Sequence, residues 1–558
     1  MTELLPPETA DFPINWQEAE DEQKFWSFYG NYMPEPFTPI ERDIITAIYA
    51  TSWNKAFAYF QVGQSQTRFF NGYYYEGLTD TPTLSAADVE TLKKEKIAPL
   101  SRQYLTQNLP DNVSFEAWEE AWLAEVKQHL TALDNLNLAQ PLPQLLDCLA
   151  ETLRRYGRIS DLHAMQFPIL VMIVHEFEQF YQDLFGQEGL SYHQLLHKNE
   201  THAVRGNRQL WRLSRQISQQ PTIKELFLTA SPDDLMNQLS ATTAGQAILT
   251  GLNDYLSQHG KQSELMLHVC YPSWREDPAP VILNLKAYLT QSERDFEAEL
   301  NHQHQQQAEA LAAVRAQLAT YPEPVREQFE TLLPNAQKAA YMLDEHTYWM
   351  ELAPNYHARQ VLLPVGRALQ SMGCIAHHED IFHLHLAEIH ALAENPTSQE
   401  SLITARKAEL AHFKQLTPPP FLGDFPTEMP PANLVMDILY ATLGMPLPPS
   451  EIPDILVGYP ASSGIVIGPV KILHSINEVA KLTPGDILVT SMTTPVWTPA
   501  FAHAAGVITD SGGMLSHPAI VAREMGIPAV VGTGTATFTL QDGQMVELNG
   551  TTGQVKIL

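Results

Sequence analysis

Ten of the chain's 40 prolines fall between residues 417 and 453, among them Pro418-Pro419-Pro420 and the run Pro446-Leu447-Pro448-Pro449. Proline lacks an amide hydrogen, fixes its own φ and pushes the residue before it out of the helical region. A long regular element cannot cross such a stretch, so it reads as a stiff connector at 416–453, with room for one short helix at 433–443. The two sides differ in texture. Residues 1–415 are mostly of helical pattern: 114–136 (SFEAWEEAWLAEVKQHLTALDNL) repeats apolar residues every three or four positions. The stretch 285–320 lacks Gly and Pro and predicts one extended helix ended by Tyr321-Pro322. Beyond the connector come short β-type runs, ILVGYP, GIVIGPVKIL, DILVTSM, AGVITDS, AVVGT, MVELNG and GQVKIL, bounded by Gly, Pro, Asn and Asp. One helical window, 515–525, interrupts them.

At 558 residues the chain predicts several domains rather than one core, and 44% hydrophobic residues suffice to build them. The formal charge of −30 disfavours nucleic acid and anionic membranes. The largest basic grouping, Arg205, Arg208, Arg212 and Arg215, has helical spacing and reads as a solvated helix face. Three widely separated cysteines give neither a disulfide framework nor a zinc knuckle. The acidic, proline-containing N-terminus lacks the basic start and apolar run of a signal peptide. The longest apolar run, 167–174, is far too short to span a bilayer. A cytoplasmic protein is expected.

The densest chemistry lies at 509–533, TDSGGMLSHPAIVAREMGIPAVVGT. A β run ends at Asp510, and Gly512-Gly513 permit a sharp turn. Ser516 is a candidate N-cap, which puts His517 in the first helical turn. Helix-start amides favour an anion, and a histidine there is able to attack and hold a phosphoryl group. Ala519, Ile520, Val521 and Ala522 predict a buried face, Arg523 a bidentate phosphate partner, and Gly526-Ile527-Pro528 the helix end. A lone histidine would more often be a surface or capping residue; this one sits within a dense pattern.

That pattern resembles the phosphohistidine segment of the swivelling domain in phosphoenolpyruvate (PEP)-utilising enzymes, such as PEP synthase, pyruvate phosphate dikinase and rifampicin phosphotransferase. Ser462, Ser463 and Gly464, Gly485 to Val489, Thr494-Pro495, Asp542-Gly543 and 550–555 extend the likeness over about 450–558. The resemblance implies an α/β (β/β/α) swivelling domain at 454–558 with His517 as phosphoryl carrier, supported by Ser516, Gly513, Thr494 and Arg523. Pro518 departs from the small residue common in the family, but proline is tolerated in a first helical turn.

The large all-α region expected at 1–415 is similar, more weakly, to the acceptor side of rifampicin phosphotransferase. The segments carrying this are 26–40 (WSFYGNYMPEPFTPI), 71–75 (NGYYY), 271–278 (YPSWREDP) and 373–384 (GCIAHHEDIFHL). Acceptor-side candidates are Arg359, Lys261, Glu264, Glu379, Asp380 and His175, with Arg367 flanking. Helix packing is the plain alternative for each. At 259–264 (HGKQSE) a lysine replaces the family's arginine, and an ammonium cannot form a guanidinium's two-pronged grip. No HExxH or similar spacing occurs, so no metal site is expected.

The resemblance also implies a phosphoryl donor, usually an ATP-grasp domain, and in dikinases a pyruvate-binding barrel as well; this chain has room for neither. Mg and ATP are therefore expected on a separate ATP-grasp subunit, with no cofactor here and a small-molecule acceptor in the helical domain. Phenylphosphate synthase is similar in this division of parts. The competing reading is a non-catalytic regulatory or binding relative that kept the fold.

Overall fold

The computed structural model of the chain describes residues 12–558 apart from 31, 80–81, 83, 111–112, 187–191, 197, 291–294, 420, 425–449, 451, 453, 494–496 and 514–515. The protein is multidomain, with a large helical region and a C-terminal sheet domain. Its contacts divide it into two compact units. The first comprises Met1–Ile169, Leu265–Tyr271 and His346–Asp437; the second comprises Leu170–Glu264, Pro272–Glu345 and Ile438–Leu558. Helices between 170 and 345 thus group with the C-terminal sheet, a division different from the change of texture near 415. The short helix expected at 433–443 lies outside the described residues.

In the first unit the helix Phe115–Asp134 starts on Ser114, whose Oγ accepts the Ala117 amide at 3.3 Å, and buries Trp118, Trp122, Leu123, Val126, Leu130 and Leu133. That spacing is the apolar stripe the sequence predicts. Among the described residues three helical stretches contain wide π turns, at Ile45–Ala50, Lys93–Ile97 and Thr347–Leu352. The helical reading holds, and the structure adds a small antiparallel sheet. Its strands are β1 (Phe25–Phe28), β2 (Gln64–Phe70), β3 (Tyr73–Thr79) and β4 (Phe421–Gly423), ordered β2-β3-β1-β4. Asn71 and Gly72, at φ 48° and 80°, make the β2–β3 turn, the type I′ form of a two-residue hairpin, which needs positive φ at both central positions. β4 pairs Leu422 with Trp26, and the Tyr75 hydroxyl donates to Pro419 O at 2.8 Å. The first part of the proline-rich stretch is therefore fastened into a sheet.

In the second unit the stretch expected as one helix over 285–320 is two, Ala279–Thr290 and Phe296–Leu318. Asp295 caps the second, its Oδ1 accepting the amides of Glu297 and Ala298 at 3.1 Å. The arginine face on His202–Ser218 is helical as predicted but not merely solvated: Arg205 pairs with Glu345, Arg208 with Glu200, and Arg212 with Glu297. Beyond them lies an eight-stranded sheet of β5 (Ile455–Val457), β6 (Tyr459–Ser462), β7 (Ile465–Ile472), β8 (Ile487–Thr490), β9 (Gly506–Thr509), β10 (Ala529–Val531), β11 (Met545–Asn549) and β12 (Gln554–Ile557). The order is β5-β12-β11-β7-β8-β9-β10-β6. β7 to β10 run parallel, and β8, β9 and β10 are buried throughout, as parallel strands covered on both faces are. One apolar cluster joins this domain to the helices, with Leu252, Ile282 and Leu285 on one side and Ile476, Val479, Phe501 and Val521 on the other.

Candidate functional site

The chain leaves β9 at Thr509 and reaches the helix His517–Glu524 through a glycine turn. This is the C-terminal edge of parallel strands, where open α/β sheets place their ligands. Gly512 has φ 113°, and a Cβ there would lie 2.6 Å from Ser516 Oγ. Gly532, also at positive φ, packs so closely that its Cβ would lie 2.6 Å from Gly512 O. Both positions therefore require glycine.

Asp510 braces this turn. Its carboxylate accepts the Thr537 amide at 3.1 Å and the Thr533 hydroxyl at 3.3 Å, and pairs with the Thr537 hydroxyl. Its backbone amide donates to Thr490 O at 3.2 Å and its carbonyl accepts the Gly534 amide at 2.8 Å. Burial pushes the Asp510 carboxyl upward, offset only in part by Thr537 and Thr533. Sequence reading passed over this residue, although an acid directly before a Ser-Gly-Gly turn was the available signal.

Ser516 occupies the N-cap with φ −71° and ψ 157°, but its hydroxyl does not cap the first turn. It turns back and donates to Gly513 O at 2.7 Å, tying the helix start to the glycine turn. The expected capping bond is thus replaced by a loop-closing one. His517 is the first helical residue and Pro518 follows within the first turn. Ala519, Ile520, Val521 and Ala522 are buried. Gly526, at φ 63°, ends the helix, with the Ile527 amide donating to Ala522 O at 2.9 Å, the six-to-one closure typical of a glycine-ended helix. Arg523 lies in the last turn, and its charge acts on the Tyr192 phenol. Six helical residues separate its backbone from that of His517 by about 9 Å along the axis. Thr494 lies outside the described residues.

The acceptor-side candidates fall into separate groups. In the second unit, Lys261 and Glu264 follow the helix Thr243–His259, and Glu264 Oε1 accepts the Ser475 hydroxyl of the sheet domain at 2.5 Å. His175 sits on the helix Leu142–Phe185 with Nδ1 3.5 Å from Glu178. In the first unit, Arg359 is buried and donates to Val269 O at 3.2 Å, Cys270 O at 3.0 Å and Glu379 at 2.8 Å, with its guanidinium over Phe382. These bonds make it a clamp on the 269–270 backbone. Asp380 accepts the His377 amide at 2.9 Å and pairs with Lys407.

Sequence reading also missed a buried imidazole pair. His259 Nδ1 lies 2.7 Å from His202 Nε2, and Gly206 leaves room for the ring. Burial, then the Arg205 charge, lowers His259 to about 4; burial and the His259 charge hold His202 well below its usual range.

The family described as PEP-utilising enzyme, mobile domain, matches residues 482–553, and the rifampicin phosphotransferase fourth domain matches 163–345. A chondramide synthase of Chondromyces crocatus is 33% identical over 99% of this chain and 14% of its own length. A rifampicin phosphotransferase of Streptomyces sviceus is 29% identical over 61% of this chain and 38% of its own. A PEP synthase of Aeropyrum pernix is 51% identical over 114 residues, 19% of this chain and 14% of its own. The chain spans less than half the length of each of these relatives. The strand–turn–helix at 506–524 falls within the matched mobile domain, and the helices at 202–259 within the matched fourth domain. By these two matches the chain contains a PEP-utilising mobile domain and a region similar to the fourth domain of rifampicin phosphotransferases.

Proposed function

We propose that this chain is a phosphotransferase component that accepts a phosphoryl group on His517 and passes it to a small-molecule acceptor held by the helical region. The observation that carries this reading is the helix start at His517, set by a glycine turn braced through Asp510, inside the matched mobile domain. The imidazole lone pair attacks the phosphorus in line as the nucleotide's bridging oxygen leaves. The acceptor oxygen then attacks the same phosphorus, the N–P bond breaks, and the imidazole is regenerated.

The donor is ATP with Mg, bound by a separate ATP-grasp subunit or module. The whole-length likeness to a stretch making up 14% of a chondramide synthase supports a block that works with parts supplied elsewhere. Lys261 and Glu264, which lie in the matched fourth domain, border the acceptor's place. His517→Ala is expected to abolish phosphoryl transfer while leaving the thermal unfolding midpoint unchanged, measured with ATP and lysate fractions as donor source. Transfer near the wild-type rate in that variant would overturn the carrier role of His517, and no transfer by the wild-type chain with any donor would favour a non-catalytic relative that kept the fold.

A further inference from the structure

The helical region contains a second concentration of chemistry that the carrier reading does not use. His163, His346 and Glu351 are 3%, 6% and 5% exposed. Each offers a donor atom within 4.8 Å of the donor atoms of the other two. His163 Nδ1 lies 3.8 Å from Glu351 Oε1, and the two imidazole rings lie 4.8 Å apart at 23°. His163 Nε2 and Glu351 Oε2 are buried and make no hydrogen bond among the described residues. Native interiors rarely leave such groups unpaired, and when they do the reason is often an ion or a catalytic role. The neighbours are aromatic: Trp53 and Phe167 meet the His163 ring edge-on at 5.8 Å.

The backbone explains how a sequence without a metal motif builds this cluster. His346 and Glu351 are five apart, which in an α-helix puts them about 140° apart around the axis. The segment Thr347–Leu352 is instead a π turn. Its i→i+5 bonding brings residues five apart towards one side, and such turns recur at functional sites. His163 comes to the same place from the helix Leu142–Phe185.

We infer that His163, His346 and Glu351 bind a divalent first-row transition ion, zinc in the first instance. Two imidazoles and one carboxylate suit such an ion and not magnesium or calcium, which take oxygen ligands. Donor atoms about 2.1 Å from a tetrahedral zinc are about 3.4 Å from one another, close to the 3.8 Å spacing here. Three protein ligands leave one position for water or an acceptor oxygen. The other mixed cluster, Glu41, His268 and Cys270, is a poorer candidate. Its carboxylate is already occupied by the Thr38 amide and hydroxyl at 2.8 Å and the Cys270 amide at 3.0 Å.

The test uses the untagged full chain, stripped with chelator, then titrated with Zn²⁺ by calorimetry and with Co²⁺ by visible absorption. One saturable equivalent is expected, with cobalt d–d bands and no thiolate charge transfer. Glu351→Gln and His163→Gln should each weaken Zn²⁺ binding by at least about 10-fold, the lower bound for loss of even an outer partner. Should either variant fail to fold, the wild-type cobalt spectrum decides alone. Absence of a saturable equivalent, equal affinity in Glu351→Gln, or a thiolate charge-transfer band placing the ion at Cys270 would each overturn the assignment.

Discussion

The C-terminal sheet domain and the helical region place their chemistry in opposite ways. Around His517 most of what shapes the turn is contiguous: the strand end, the bracing acid, the glycine turn, the cap and the helix lie within 506–524, and Gly532, Thr533 and Thr537 complete it from just downstream. In the helical region each cluster is gathered from far along the chain: 41 with 268, 163 with 346 and 351, 202 with 259 and 345. A strand–turn–helix fixes side-chain positions locally, through φ values and caps. A helix contributes one face, and its periodicity says which residues share that face but not which other face they meet. Motifs survive in the first arrangement and dissolve in the second.

The sharpest way to break this comparison is through Arg359, which reads in sequence as an anion-binding residue and in structure as a clamp. Arg359→Ala removes the donors to Val269 O and Cys270 O and should cost about 2–4 kcal/mol in urea unfolding. A variant of unchanged stability that nevertheless loses transfer would restore Arg359 to the acceptor site.

The second prediction sharpens the helical side. His259 is neutral in the folded protein down to about pH 4, whereas the unfolded chain protonates near 6.5. Between those values the unfolded state binds more protons, so stability rises with pH and is lost as pH falls from about 6.5 towards 4. The His259 contribution is on the order of 3 kcal/mol, and His202 adds in the same direction. Unfolding free energies at pH 7 and pH 5 should show the fall, and His259→Gln should flatten it.

On the carrier side, Gly512→Ala forces a side chain into φ 113° and against Ser516. It should cost about 1–3 kcal/mol and slow labelling of His517 more than it lowers stability. An alanine variant with wild-type labelling would show that the turn does not set the carrier's position.

Legibility follows the same division. The helix at 115–134 and the β-rich C-terminal domain were readable because periodicity and turn residues act over a few positions. The helix start at His517 was readable from Gly512-Gly513 and Ser516, though the direction in which the serine hydroxyl turns was not. The small sheet went unread. Asn71-Gly72 between two aromatic runs is a hairpin signal, but β1 and β4 are short and come from opposite ends of the first unit, so their pairing leaves no local mark. Asp295, an acid directly after an arginine in a polar stretch, hid a helix start. The π turn at Thr347–Leu352 has no proline or glycine to announce it, and it is what sets His346 and Glu351 beside His163.

The most direct test of the central claim is to phosphorylate the protein with labelled ATP and source-cell lysate and to locate the label by peptide mass spectrometry. The account predicts an acid-labile, base-stable phosphoryl group on the peptide bearing His517, absent from His517→Ala. An acid-stable label on Ser516 or elsewhere, or the same acid-labile label in His517→Ala, would contradict it.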